Sequence, residues 1–322
     1  MSRKITPLTI LVAFTVAGVI VKDPYFLGVG ILIILYSTIA LSIRLVLNTG
    51  QFTIGHAAFM AIGAYSSSWF VLHWGIPFWI ALILSGVVAG LLGLIIGYPT
   101  LKIKGVYFAI ITLAFCDIVQ RSIAWAPREL FGGHSGMTGI PKPDPIQIPG
   151  FLSIDFNSRT SLYFLVLLLA LGAYLLVYRI EYSRMGRNFA AIKEGDLLAE
   201  SIGINLIRYK LLAYVVACFI TGVMGSYYAH FMGYLNPRMF SVWLSIIVVM
   251  YIIVGGMGNL VGAIIGATTL LIMGEALRFI EGVKGWEQVI FGGVIIASIF
   301  FLPDGLISLP HQIRRFINNQ RK

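Results

Sequence analysis

The sequence predicts an all-α polytopic membrane helix bundle of about ten transmembrane helices. Three observations predict it. The 322 residues are 58% hydrophobic and 11% charged, with a mean hydropathy of +0.91, more apolar surface than a soluble core of this size can hide. Several apolar runs reach the ~20 residues needed to cross ~30 Å of hydrocarbon. The runs are continuous, whereas a transmembrane β-barrel would alternate.

The first run, 5–22, follows Arg3 and Lys4 and resembles a signal peptide. It lacks a small-residue cleavage pattern and has further spans behind it, so it reads as an uncleaved first span. The next runs are 26–47, 51–73, 77–98 and 105–125, separated by "KDP", "HWGIP" and "YPTLKIKG", whose Gly and Pro interrupt helices. A Gly- and Pro-rich segment, 126–159, leads to the span 160–180. A second long connection, 181–207, precedes 208–233, 240–257, 259–280 and 286–303. The tail 310–322 is basic and is expected at the membrane surface. The whole chain, 1–322, reads as one transmembrane domain.

The formal net charge of +10 falls mostly on one side. With the N-terminus inside, the cytosolic side collects Arg3, Lys4, Arg44, Lys102, Lys104, Arg179, Arg184, Arg187, Lys193, Arg208, Lys210, Arg314, Arg315, Arg321 and Lys322, against Lys22, Arg128, Lys142, Arg159, Arg238, Arg278 and Lys284 outside. This positive-inside bias predicts both termini in the cytosol, 126–159 as an outer loop and 181–207 as an inner one. The basic balance therefore reads as orientation rather than nucleic-acid binding. Cys116 and Cys218 lie within apolar runs and read as buried small hydrophobes, with no metal site.

No G-x-x-x-x-G-K-[ST], H-E-x-x-H or G-x-S-x-G pattern and no paired Cys motif occurs, so no catalytic motif argues for an enzyme. If ATP drives this protein, the ATPase is another chain. Ionisable residues within spans are few. Asp117 and Arg121, and Glu275 and Arg278, lie one turn apart and read as self-neutralising pairs. Such spans suit a neutral or zwitterionic cargo moved by another subunit's energy. An ion-coupled secondary transporter or a passive channel stands as the alternative. Glycines four apart, Gly86/Gly90, Gly93/Gly97 and Gly258/Gly262/Gly266, predict close helix packing.

The 181–207 connection mixes Ala, Leu, Ile and charges at helical spacing, broken at Gly195 and Gly203. It reads as one or two short amphipathic helices. Such helices lie on lipid or dock on a cytosolic partner. The mixed signs of Arg184, Arg187, Lys193, Glu194, Asp196 and Glu200 favour docking.

Several segments together carry a family resemblance: "GQFTIGHAAFMAIGAY" (50–65), "LKIKGVYFAIITLAF" (101–115), "GGHSGMTGIP" (132–141), "SRMGRNFAAIKEGDLLAESIGIN" (183–205), "KLLAYVVACFITGVMGSYYAHFMGYLNP" (210–237) and "VGGMGNLVGAIIGA" (254–267). They resemble the permease subunits of branched-chain amino acid ATP-binding-cassette (ABC) transporters, of the LivM type. The family also includes urea and short-amide importers. The resemblance implies an importer permease in the cytoplasmic (inner) membrane, paired with a second, related permease. It also implies two cytosolic ATP-binding subunits and an extracytoplasmic binding protein. The chain itself would hold no cofactor, with ATP and Mg in the ATPase subunits.

The resemblance further implies an ATPase-coupling loop carrying Arg184, Gly186, Arg187, Ala191, Ile192, Glu194, Ala199, Glu200, Gly203 and Ile204. Ala199-Glu200-Ser201 stands where other importers have E-A-A. Path or gate candidates in the matching segments are Gln51, Thr53, Gly55, His56, Tyr107, Thr112, Gly255, Gly256 and Asn259. The 48–65 stretch is expected to break or thin a helix near its cytosolic start, with His56 a hydrogen-bonded packing residue.

Overall fold

A computed structural model describes residues 23–103, 105–148 and 152–278, with isolated positions among 14–20 and 289–308. The expected spans 5–22 and 286–303 and the tail 310–322 lie outside the continuously described residues.

Helix α1 (Pro24–Leu47) begins where Asp23 accepts a hydrogen bond from Tyr25 N at 2.8 Å and Pro24 fixes the first turn. It is buried along most of its length. Next come α2 (His56–Trp74), closed by Gly75 at φ +62°, α3 (Phe78–Thr100) and α4 (Val106–Trp125). A four-residue helix, α5 (Arg128–Phe131), opens the long connection to α6 (Arg159–Glu181). Two short helices, α7 (Arg184–Glu194) and α8 (Asp196–Ser201), lead into α9 (Leu206–Met232), and α10 (Val242–Gly255) and α11 (Gly262–Arg278) follow.

Among the described residues, α1, α3, α4, α6 and α9 are long and apolar enough to cross a membrane. Of the ten expected spans, 5–22 and 286–303 lie outside the continuously described residues. Two departures have clear causes. Helix α2 starts at His56, not 51, because Gly50 adopts φ +74° and 51–55 are non-helical. Its Ala, Gly and Ser are shielded by neighbouring helices rather than by apolar side chains of its own. Helix α10 has 14 residues, roughly 21 Å at ~1.5 Å each, short of a ~30 Å core. It is preceded by a 3-10 turn at Pro237–Phe240.

The bundle is organised around α9. Lipid offers little hydrophobic drive for helix association, so close contact depends on small residues. A β-carbon at Gly63 of α2 would fall on the Gly222 backbone of α9, and one at Gly225 would fall on the Met60 carbonyl. Gly86, Gly93 and Gly97 of α3 lie under Phe219, Cys218 and Tyr214 of α9. Both expected α3 stripes therefore pack, although Gly90 meets α9 only at ordinary contact distance, 3.6 Å. The third stripe is corrected. Gly258 lies in the turn before α11 with open space around it, while Gly262 and Gly266 press on Tyr251, Gly255 and Gly256. The turn forms because Gly256 takes φ +110° and Asn259 Oδ1 accepts from Val261 N at 3.2 Å.

The 126–159 connection is a folded cap with small β pairs that the all-α expectation lacks. Strand β1 (Met137–Thr138) pairs antiparallel with β4 (Tyr234–Leu235), Met137 opposite Leu235, and β2 (Ile146–Ile148) forms a hairpin with β3 (Leu152–Ile154). The cap is tied to the helices by polar groups. Phe78 N, at the start of α3, donates to Asp144 Oδ2 at 2.7 Å. The buried His230 of α9 joins the Pro141 carbonyl at 2.7 Å and the Ser67 hydroxyl of α2 at 3.1 Å.

Candidate functional site

Helices α1, α3 and α6 end, and α2, α4 and α9 begin, at one end of the bundle, where the basic residues collect. Two expected features meet here: the break between α1 and α2, and the α7–α8 connection.

At the break, the first amides of α2 need acceptors, and its N-cap, Gly55, has no side chain to offer one. Other helices supply them. Ile54 N donates to Thr112 Oγ1 of α4 at 3.0 Å, and Ala57 N to Ser245 Oγ of α10 at 2.9 Å. A β-carbon at Gly55 would lie 2.8 Å from the Thr112 carbonyl oxygen, so α2 and α4 touch through backbone. Gln51, Thr53 and His56 are buried. His56 packs edge-on against Phe59 with centroids 6.4 Å apart, but neither ring nitrogen has a hydrogen-bond partner among the described residues. It is thus a packing histidine without the expected hydrogen bond. Thr112→Val keeps the volume and strands the Ile54 amide, a loss of about 1–3 kcal/mol. Thermal unfolding in detergent checks this; an unchanged midpoint would show that the amide has another acceptor.

In the 181–207 connection the expected helices are present and the break at Gly195 falls between them. Ser183 caps α7, accepting from Met185 N at 3.0 Å. Phe189 and Ile192 turn inward, Phe189 against Tyr209 of α9, while Arg184, Arg187 and Glu194 face outward. Gly186 sits against the Glu181 backbone, where a side chain would not fit, and Ala191 is partly covered. In α8, Ala199 is buried and Glu200 exposed. Gly203 reverses the chain at φ +84°, and Ile204 N bonds the Ala199 carbonyl at 3.0 Å.

Among the described residues, two ion pairs fasten this end. Lys210 Nζ of α9 reaches both Asp196 oxygens, at 2.9 and 3.0 Å, with its side chain 5% exposed. Arg44 of α1 pairs through Nε with Glu181 Oε1 at 2.9 Å, Asn48 Nδ2 reaches the same oxygen at 2.7 Å, and Arg44 Nη1 donates to the Met257 carbonyl. The Arg44 pair connects α1, the end of α6 and the α10–α11 turn. Gly255, Gly256 and Asn259 join the basic end through that turn. Thr49, Gln51 and Gly105 face Ile192, Asp196 and Lys210 across a cleft of about 390 Å³.

The structure therefore brings Gln51, Thr53, Gly55, His56 and Thr112 together, with the α7–α8 residues beside them. Tyr107 is not among them: it projects outward from α4, whereas Thr112 is buried. Sequence reasoning missed three residues of α8 and its exit. Leu197, Leu198 and Ile202 are 72–79% exposed, an apolar surface on a segment between bundle helices. The readable signal was "DLLAESIGI", where two adjacent leucines cannot both face inward on a six-residue helix.

Residues 25–299 match the family described as branched-chain amino acid transport system / permease component. The high-affinity branched-chain amino acid transport system permease proteins LivM of Salmonella typhimurium and Escherichia coli K12 are each 26% identical to this chain. They align over 89% and 90% of it and 71% and 72% of their own lengths. The corresponding LivH permease protein of Escherichia coli K12 is 29% identical over 49% of this chain and 50% of its own. No solved structure matches.

Proposed function

Because the chain belongs to the family of branched-chain amino acid transport permease components, we propose that it is the transmembrane permease subunit of an ATP-binding-cassette importer for branched-chain amino acids. Two separate ATPase subunits power it and an extracytoplasmic binding protein feeds it. A second, related permease completes the membrane part. The basic end faces the cytosol with both termini, and the 126–159 cap faces the binding protein. ATP and Mg act in the partner subunits.

The observation that carries this reading is the exposed Leu197, Leu198 and Ile202 beside Arg184, Arg187, Glu194 and Glu200. Exposed apolar residues rimmed by mixed charges suit a protein partner. The Lys210–Asp196 pair anchors α8 to α9, so a displacement of α8 is passed to the central helix. Alternation of the bundle then draws on nucleotide and ligand binding to its two states.

Reconstitution in vesicles tests the reading. Leucine uptake is expected only when the second permease, the ATPases, the binding protein and ATP are all present. Uptake by this chain alone that collapses with an ion gradient would make it a secondary transporter, and uncoupled flux would make it a channel; either overturns the proposal.

A further inference from the structure

Helix α4 carries a charge pair on a face that the described residues leave open. Arg121 Nε meets Asp117 Oδ2 at 2.7 Å, yet the two side chains are 71% and 42% exposed. Asp117 stands roughly 16 Å along the helix from Val106 at ~1.5 Å per residue, near the middle of this 20-residue span. Tyr107, Ile110, Ala114, Ile118 and Arg121 recur at helical spacing along the exposed face, while Phe108, Thr112, Cys116 and Ile123 form the buried one.

Such a face does not suit lipid. Charges within a membrane span are costly and belong against protein or water. One mutual bond also leaves much of the pair's capacity unused. A guanidinium has five N–H donors and a carboxylate about four acceptor positions, and among the described residues the hydrogen bond and ion pair of Arg121 and Asp117 are with each other. A free α-amino acid presents the complementary groups, a carboxylate and an ammonium, a short distance apart.

We propose that this face of α4 lines an aqueous route through the membrane, and that Asp117 and Arg121 form a subsite for a zwitterionic amino acid. Arg121 takes the carboxylate of the cargo and Asp117 its ammonium. The proposal rests on the permease reading and narrows its cargo to molecules carrying both charges, which excludes urea and simple amides.

The test uses the complete complex in vesicles, with uptake by the unmodified complex measured first; no amino acid uptake there overturns the permease reading itself. Ile118→Cys and Ala114→Cys are then exposed to a small cationic thiol reagent that does not enter lipid. Cys116 and Cys218 are fully buried and give little background. Labelling of both positions, slowed by leucine, is the expected result. No labelling in the assembled complex, as when lipid or the partner permease covers the face, overturns the route. Arg121→Gln is expected to lower leucine uptake about tenfold or more. Normal uptake in that variant overturns the subsite. So does full recovery when Asp117→Arg is combined with Arg121→Asp, because a merely structural pair survives exchange. If Arg121→Gln fails to assemble, the labelling result decides.

Discussion

Glu181→Ala is expected to destabilise the protein by about 3–5 kcal/mol, the usual penalty for leaving one member of a buried ion pair uncompensated. Arg44 and Glu181 are 10% and 11% exposed, and Asn48 and the Met257 carbonyl complete their contacts. Removing the carboxylate leaves a guanidinium in an apolar span and frees the end of α6, where α7 begins one turn later. Thermal unfolding of the purified complex in detergent checks this. Arg44→Met combined with Glu181→Leu should recover most of the lost stability, since a buried pair often contributes little over packed apolar groups. A double variant as unstable as the single one would show that the pair acts through something other than uncompensated charge. Recovery of stability without recovery of uptake would assign the pair to the transmission of movement.

The combined change Leu197→Asp and Leu198→Asp is expected to abolish ATP-driven uptake while leaving the permease folded. Both leucines are more than 70% exposed, so a charge there buries nothing and costs the isolated chain little. If they are anchors for the ATPase, each should contribute at least about 2 kcal/mol to docking, roughly 30-fold in affinity. Co-purification of the ATPase subunits and uptake in vesicles measure the two consequences. Retained association with normal uptake would remove α8 from the docking surface. Ile202→Asp provides a second position on the same patch.

The bundle's membrane character was legible because long apolar runs report directly on solvent. The helices α7 and α8 were legible because charges and apolar residues alternate there at helical period. What escaped the sequence was pairing over distance. Arg44 and Lys210 count equally toward a basic end, but nothing in their own segments says that Glu181 and Asp196 neutralise them. The same holds for the start of α2. Gly50 and Gly55 announce a break, yet the acceptors for its amides sit on α4 and α10, 58 and 188 residues away. The Gly258 register shows a related limit: four-residue spacing describes a face only where a helix exists, and Gly256 had already ended it. The pairing of Asp117 and Arg121 follows from their one-turn spacing, but its exposure belongs to the folded bundle.

The glycine contacts of α9 have a consequence for how this sequence can drift. Where Gly63 meets Gly222 and Gly225 meets Met60, the facing surface is main chain, and no substitution on the partner helix makes main chain smaller. A residue gained at one of these positions has no compensating change elsewhere short of moving a whole helix. The lineage is thus expected to be held at such points, while exposed positions of α3, such as Ile83 and Ile95, should exchange more freely among apolar types. The substitutions that distinguish one such permease from another should therefore gather on the outer faces and in the cap, with the seams of α9 left as they are.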